Sequence, residues 1–184
     1  MGAEGLIFAD TTAIAQVERC DLLCVPGGVT ATQQALDRPF LVELRRLASG
    51  AKYVTSVCTG SLILGAAGLL AGKRAACHWA WADLLPLFGA THDPARVVRD
   101  GNTITGGGVT AGIDFALTVL AEIWGEETAQ LIQLSLEYAP APPFDAGSPK
   151  RAPAAVRERY HALTAKLFEV RRAEAEQAAR MIDG

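Results

Sequence analysis

The chain has 184 residues, half of them apolar and a fifth charged, and its formal net charge is -3. This length suits one compact domain, which we expect to span 1–184, and the composition is that of an ordinary globular protein. A mildly acidic chain lacks the basic surface of nucleic-acid-binding proteins, and no apolar run reaches the roughly 20 residues that span a bilayer. With no secretory signal at the N-terminus, we expect a cytoplasmic protein without nucleic-acid or membrane partners.

Four cysteines are present, and their spacing predicts neither a disulfide framework nor a zinc site. Cys20 and Cys24 flank the start of an apolar strand pattern, so we expect both to be core thiols. Cys77 is also predicted to be structural. The glycine run at 106–108 does not fit a nucleotide-binding motif, so no metal or cofactor is expected.

Strand and helix patterns alternate through the first half of the chain. The predicted elements are a strand within 20–28, two helical pieces over 30–50 divided at Pro39, a strand over 52–57 and a helix over 61–70 that Gly72 ends. Thr30 and Gln33 have the spacing of a capping box at the start of the first helix. Such alternation predicts an α/β fold with a mainly parallel sheet.

The second half adds a hairpin and several helices. We predict a short strand over 74–78, a helix-like segment over 80–88, and a hairpin whose strands at 97–98 and 102–105 flank Asp100 and Gly101. Helices are expected over 110–124, with Thr110 as N-cap, and over 126–138. A connection over 139–153, which contains five prolines, precedes the last helix.

The last helix, over 154–181, has one apolar stripe among many charges. The stripe comprises Val156, Tyr160, Leu163, Leu167 and Val170. We expect it to pack on its own domain or on a second copy of the chain, which predicts a homodimer.

Cys58 is the strongest candidate for a nucleophile. It lies where the 52–57 strand turns directly into a helix, and the small residues Thr59, Gly60 and Ser61 allow a sharp turn. The start of a helix favours the thiolate, which is the reactive form of cysteine. This arrangement is similar to the nucleophile elbow of α/β hydrolases. The alternative is a buried cysteine without a chemical role.

Other candidates follow the neighbouring strands, where parallel sheets bind ligands. Gly27 and Gly28, with the N-H of Thr59, could form an anion pocket, although a glycine pair also suits a plain turn at positive φ. His78 could accept or relay a proton, or be a hydrogen-bonded structural residue. The predicted site comprises Cys58 and Thr59 as catalytic residues and, lining the pocket, Gly27, Gly28, Gly60 and His78. We interpret the remaining titratable residues as surface histidines (His92, His161) and a carboxylate at a helix start (Asp114).

Several motifs resemble the ThiJ/PfpI superfamily over nearly the whole chain. SVCTGSLILGAAGLL at 56–70 is similar to its nucleophile motif, and VPGG at 25–28 to its oxyanion loop. ACHW at 76–79 and GGGVTAGIDF at 106–115 fit both isonitrile hydratases and the amidase-like domains of AraC-type regulators. The proline-rich segment at 136–149 resembles the hydratases specifically. The resemblance implies a flavodoxin-like three-layer sandwich of the class I glutamine amidotransferase type.

The resemblance to isonitrile hydratases also implies a reaction. The Cys58 thiolate attacks the terminal carbon of an isonitrile, the nitrogen is protonated, and a thioimidate forms. Water then adds, and an N-substituted formamide leaves as the thiol is regenerated. Thr59 matches the family's threonine that positions water or the intermediate. The implied enzyme is a hydro-lyase that needs no metal or organic cofactor.

One departure concerns the start of the chain. Members of the superfamily open with a strand, a helix and another strand, and the hydratases carry there an aspartate that faces the cysteine. We expect this chain to lack that unit and to leave a sheet edge exposed. Glu4 or Asp10 could replace the aspartate, although neither has its sequence context. Two other functions remain open, a ligand-sensing domain of an AraC-type regulator and a glyoxalase or stress-type ThiJ/PfpI protein.

Overall fold

The structure is a computed structural model that describes residues 7–182. Its strands are β1 (Leu22–Val25), β2 (Tyr53–Val57), β3 (Arg74–Ala75), β4 (Thr91–His92), β5 (Val97–Asp100) and β6 (Thr103–Gly106). Its α-helices are α1 (Ala31–Gln34), α2 (Arg38–Gly50), α3 (Gly60–Ala66), α4 (Ala111–Trp124), α5 (Glu126–Ser135) and α6 (Ala154–Arg180). Two 3-10 helices cover Ile14–Gln16 and Trp79–Phe88.

The main sheet has the order β1-β2-β6-β5. Strands β1, β2 and β6 are parallel, and β5 runs antiparallel to β6 in the predicted hairpin. A separate parallel pair joins β3 to β4. This arrangement confirms the predicted α/β fold with a mainly parallel sheet. The carboxyl ends of the three parallel strands therefore meet at one edge of the sheet, and within residues 7–182 β1 pairs only with β2.

Apolar side chains cover both faces of the sheet. The larger core cluster contains the fully buried Leu44, Leu62 and Leu85, which come from α2, α3 and the second 3-10 helix. A smaller cluster on the other face joins Ile104 of β6 to Phe115 and Val119 of α4. Two helical layers therefore enclose the sheet. None of the helices within residues 7–182 is long and apolar enough to cross a membrane.

The predicted helix signals are only partly realised. The 30–50 region is divided near Pro39 into α1 and α2, but the break falls at 35–37 and Pro39 lies in the first turn of α2. The Asp37 carboxylate caps α2 by accepting from the Phe40 N-H at 3.0 Å. Thr30 and Thr110, by contrast, precede α1 and α4 without a side-chain capping bond. The helix after Cys58 ends at Ala66 rather than near Gly72, because Gly68 already turns the chain with φ of 74°.

The apolar stripe of the last helix does not pack on its own domain, and its packing on a second copy stays a prediction. Within its apolar stripe Leu163 is 77% exposed, and Val156, Leu167 and Val170 are exposed as well, whereas Tyr160 is half-buried. The helix packs on the domain through the adjacent face, whose buried residues are Arg171, Ala175 and Ala178. Small residues on that face let α6 approach the domain closely.

The expectation that Cys20 and Cys24 are both core thiols is also wrong. Cys20 is half-buried, but Cys24 is exposed. Because side chains alternate along a strand, Leu23 and Val25 of β1 enter the core and Cys24 faces the other side of the sheet. Cys77 is buried, as predicted.

Candidate active site

Cys58 lies at a sharp turn between β2 and α3, and its backbone is in the left-handed region with φ of 61°. A residue with a side chain rarely adopts this conformation unless its surroundings enforce it. The Cys58 N-H donates to the carbonyl oxygens of Gly106 at 3.0 Å and Gly107 at 2.8 Å, which anchors the turn to the end of β6. The side chain of Cys58 is half-buried, so the sulfur is not sealed inside the core.

Two glycines let the neighbouring loop approach this turn. A Cβ atom on Gly60 would lie 2.0 Å from the Val25 carbonyl oxygen, and one on Gly27 would lie 2.6 Å from the Thr59 nitrogen. Neither Gly27 nor Gly28 has a positive φ, so the interpretation of this pair as a positive-φ turn is wrong. Glycine is required at Gly27 and Gly60 because a side chain has no room there, and not because the backbone needs a positive φ.

Thr59 joins the two loops with its side chain. Its buried hydroxyl accepts from the Gly28 N-H at 3.1 Å and donates to the Gly28 carbonyl at 3.2 Å. The Gly28 N-H is therefore already engaged and is not free to bind an anion, contrary to the sequence interpretation. Gly28 instead fixes the distance between the loop after β1 and the turn at Cys58.

His78 has a clear structural role. It precedes the second 3-10 helix, and its Nδ1 accepts from the Ala80 N-H at 3.3 Å. Burial lowers the pKa of His78, and the charge of Arg171 lowers it further. The imidazole is therefore neutral near pH 7 and carries its proton on Nε2. Within residues 7–182 no hydrogen bond joins His78 to Cys58.

A cavity of about 980 Å³ opens beside the turn. Its walls include His78 and Trp79 on one side, and Gly107 and Gly108 on another. The proline-rich connection closes it with residues 147–151. Cys58 is not among the lining residues, but its N-H bonds to the Gly107 carbonyl, so the cavity lies against the backbone of the turn. No pattern in the sequence predicted that the connection forms a wall of this cavity.

The other titratable candidates have separate roles. His92, interpreted as a surface residue, is half-buried and lines the cavity, whereas His161 is exposed and meets the Trp79 ring edge-on. Asp114 binds the Arg96 guanidinium and accepts from the Tyr138 hydroxyl at 3.2 Å, so its role in ion pairing exceeds the predicted helix-start effect.

Cys77 is close to Cys58 but chemically different. Burial raises the pKa of the Cys77 thiol to about 12, although a hydrogen bond with Ser61 acts in the opposite direction. Cys77 is therefore a neutral thiol at physiological pH, and Cys58 is the accessible sulfur of the pair.

The acidic partner that the resemblance implies has no counterpart among residues 7–182. No carboxylate in this part of the chain is hydrogen bonded to Cys58 or His78. Asp10 is exposed near the start of the described region, and Glu4 lies outside it. In the same residues no group of three His, Cys, Asp or Glu side chains could hold a metal ion.

Sequence reasoning missed Arg171, a buried arginine whose charge acts on His78 and Cys77. The signal was available in the spacing, because Arg171, Ala175 and Ala178 share one face of α6. An arginine in line with two alanines is unusual on a surface helix, since the small residues mark the packed face.

A strained cysteine at the carboxyl edge of a flavodoxin-like α/β sandwich defines a class of proteins. The sequence model of the DJ-1/PfpI family matches residues 2–122, and the chain belongs to that family. It is 53% identical over 179 residues to the isonitrile hydratase of Pseudomonas putida, covering 97% of this chain and 78% of that protein.

Two further proteins are similar to this chain over different shares of their length. A THiJ/PfpI family protein from Pseudomonas syringae superposes with a TM-score of 0.83 at 45% identity, covering 90% of this chain and 68% of that one. The transcriptional regulator CdhR of Pseudomonas aeruginosa is 31% identical over 75% of this chain, which spans only 41% of the regulator.

Proposed function

We propose that this protein is an isonitrile hydratase, an enzyme that adds water to an isonitrile and releases an N-substituted formamide. The observation that carries the proposal is the strained, half-buried Cys58 at the carboxyl edge of the sheet. The likeness to an isonitrile hydratase over 97% of this chain supports the choice of substrate class.

The reaction begins with the sulfur of Cys58. The thiolate attacks the terminal carbon of R-N≡C and a carbon-sulfur bond forms, which leaves the negative charge on that carbon. A proton from water therefore adds to the carbon first, rather than to the nitrogen as the resemblance implied, and gives the thioimidate R-N=CH-S-Cys58. Protonation of the nitrogen then makes this carbon electrophilic. Water adds, the carbon-sulfur bond breaks, and R-NH-CHO leaves with the sulfur regenerated. Covalent attack divides one difficult hydration into two easier steps.

The backbone at the sheet edge supplies positioning. With the Gly28 N-H engaged by Thr59, the anion pocket consists of the N-H groups of Gly27 and Thr59. Gly60 permits this arrangement because the Val25 carbonyl occupies the space of a side chain.

The 980 Å³ cavity beside the turn suits the substituent of the substrate. Trp79 gives it an apolar wall, and Tyr160 packs on Trp79 with ring centroids 4.9 Å apart. The proline-rich connection adds a more polar wall with residues 147–151. His78 faces this space as a neutral imidazole with a donor on Nε2. It can donate a hydrogen bond to the nitrogen of the substrate, which is the role we assign to it.

A ligand-sensing domain is the second candidate, since the chain resembles part of the regulator CdhR. Binding without turnover distinguishes it from the hydratase, because a sensing domain leaves the isonitrile unchanged.

We also propose that the enzyme is a cytoplasmic homodimer. The exposed stripe of α6, formed by Val156, Leu163, Leu167 and Val170, provides an apolar surface for a second copy. Together with Tyr160, these residues recur every three or four positions, as in paired helices.

Formamide production tests the proposal directly. The protein is incubated with an alkyl or aryl isonitrile, and formamide is quantified for the wild type and for Cys58→Ala. Cys24→Ala is the matched control, since it removes an exposed thiol on the other side of β1. We expect formamide from the wild type and the control and none above background from Cys58→Ala. Bound but unreacted isonitrile would favour the sensing domain.

A further inference from the structure

A buried arginine lies on the face of α6 that packs against the domain. Arg171 is 5% exposed, and its neighbours on this face, Ala175 and Ala178, are essentially inaccessible. Placing a guanidinium at such a position is unfavourable unless its charge and its N-H groups find partners. The contacts of Arg171 therefore indicate its role.

Its contacts satisfy the guanidinium only in part. Nη2 donates to the Val29 carbonyl at 2.8 Å, and the guanidinium carbon lies 3.9 Å from the centre of the Trp81 ring. Nε is buried without a hydrogen-bond partner among residues 7–182. No carboxylate in the described part of the chain forms an ion pair with it. A buried cation thus remains without a fixed counter-charge.

Two ionisable groups around Arg171 can supply that counter-charge. Burial lowers the pKa of Arg171, and Cys58 is foremost among the charges that act in the opposite direction, ahead of Glu174. Cys77 remains a neutral thiol, and the Glu174 carboxylate accepts from the Thr32 hydroxyl at 2.5 Å. Cys58 and Glu174 are therefore the candidate counter-charges of the guanidinium.

Arg171 also acts on the loop that faces Cys58. The carbonyl it holds belongs to Val29, which follows Gly28, and Gly28 is bonded in both directions to Thr59. One guanidinium therefore binds the loop after β1 and provides charge near the sulfur. Helix α3 has only seven residues, so a second source of positive charge is useful at this turn.

We propose that Arg171 is a positioning residue of the active site, which stabilises the Cys58 thiolate and holds the loop at 26–30 against it. The C-terminal helix is then part of the catalytic apparatus. The effect on hydration rests on the proposed function, whereas the effect on thiol reactivity does not.

Alkylation of Cys58 tests this role without any isonitrile. The full-length protein is treated with iodoacetamide at neutral pH, and peptide mass spectrometry measures the labelling rates of Cys58 and Cys77 separately. The variants are Arg171→Met, which removes the charge, and Arg171→Lys, which keeps it. Arg172→Met is the matched control, because this neighbour is exposed and pairs with Glu176 on the surface.

We expect Arg171→Met to slow labelling of Cys58 at least about tenfold, the loss typical of removing one nearby charge. Arg171→Lys should lie between Arg171→Met and the wild type, and Arg172→Met should match the wild type. Cys77 reports on folding, because its buried thiol becomes reactive only if the domain opens. Unchanged or faster labelling of Cys58 in Arg171→Met, with Cys77 still protected, would overturn the proposal.

If Cys77 becomes reactive in Arg171→Met, that variant has opened, and Arg171→Lys is then the variant that tests the proposal. Labelling of Cys58 about tenfold slower than the wild type in a folded lysine variant would then contradict a role for the charge, and labelling closer to the wild-type rate would support it. In the formamide assay, Arg171→Met should lower kcat more than it alters KM, as expected for an effect on the nucleophile. If the wild type makes no formamide but the variants show the expected labelling rates of Cys58, the role of Arg171 is supported and the hydratase activity is rejected.

Discussion

The conformation of Cys58 is set by contacts on both sides of its turn. Two carbonyl oxygens at the end of β6 hold its N-H, and Gly27 and Gly60 let the loop after β1 close against it. A left-handed residue with a side chain costs roughly 1–3 kcal/mol, which these contacts offset. The position of the sulfur is therefore determined by the backbone rather than by a flexible side chain.

Gly60→Ala tests this close approach. The added Cβ would lie 2.0 Å from the Val25 carbonyl oxygen, so the loop must move away. We expect the free energy of unfolding to fall by about 3 kcal/mol, the upper end for overpacking, as measured by urea denaturation. Gly28→Ala is the control for stability, since no atom lies within 4 Å of its added Cβ. Equal losses in both variants would contradict the steric account.

His78→Asn tests the titration of a buried imidazole. Burial lowers the pKa of His78 in the folded protein, so the unfolded chain binds the proton more readily, and stability is lost as pH falls below about 6.5. Asparagine can still accept from the Ala80 N-H but does not titrate. We expect the drop in Tm between about pH 7.5 and about pH 5.5 to be smaller in His78→Asn than in the wild type. His92→Asn serves as control, and an undiminished drop in His78→Asn would reject this account.

The sequence predicts part of the site at this scale. Small residues around Cys58 indicate a tight turn, and that turn is present. The engagement of Gly28 by Thr59 and the burial of Arg171 were not predictable, because they depend on contacts between distant segments. Arg171 and Val29, for example, are 142 positions apart. A pattern within one helix cannot reveal which carbonyl its arginine will meet.

At the scale of elements, α6 has two different surfaces. Its C-terminal half packs on the domain through Arg171, Ala175 and Ala178, and its N-terminal half touches the domain through Tyr160 on Trp79. The exposed apolar stripe lies to one side of both contacts. The sequence pattern identified this stripe correctly as apolar, but it did not identify the face that packs on the domain, because small residues and an arginine were not recognised as a packed face.

A double substitution, Leu163→Glu with Leu167→Glu, tests whether the stripe joins two copies. Both side chains are exposed, so the fold should tolerate the change while apolar contact between copies is lost. We expect a dimer for the wild type and a monomer for the variant in sedimentation experiments, with little change in Tm. Glu169→Lys, an exposed position on the face opposite the stripe, is the control. A monomeric wild type, or a variant that stays dimeric, would reject the proposed interface.

The strands and helices were predicted with unequal success. The division near Pro39 and the hairpin at Asp100 and Gly101 have local causes, and both are present. The strand expected over 74–78 is confined to Arg74–Ala75, and the helix-like segment after it is a 3-10 helix that contains Pro86. Tertiary packing decides such short segments, since β3 pairs with β4 from a later part of the chain.

At the scale of the whole molecule, three segments that are distant in sequence meet at one edge of the sheet. The loop after β1, the turn at Cys58 and the glycine run after β6 are brought together by the register of three parallel strands. The C-terminal helix and the proline-rich connection complete the surroundings by contributing Arg171 and one wall of the cavity. Alternation of strands and helices predicted this convergence, whereas the two later segments required the structure.

The most direct test of the nucleophile is to trap the covalent intermediate. The protein is mixed with an isonitrile and quenched rapidly in acid, and peptide mass spectrometry locates any added mass. We predict that the peptide containing Cys58 gains the mass of one intact isonitrile, because thioimidate formation adds the whole molecule to the thiol, and that Cys58→Ala gains none. Formamide production with the adduct on another residue, or with Cys58→Ala as active as the wild type, would contradict the account.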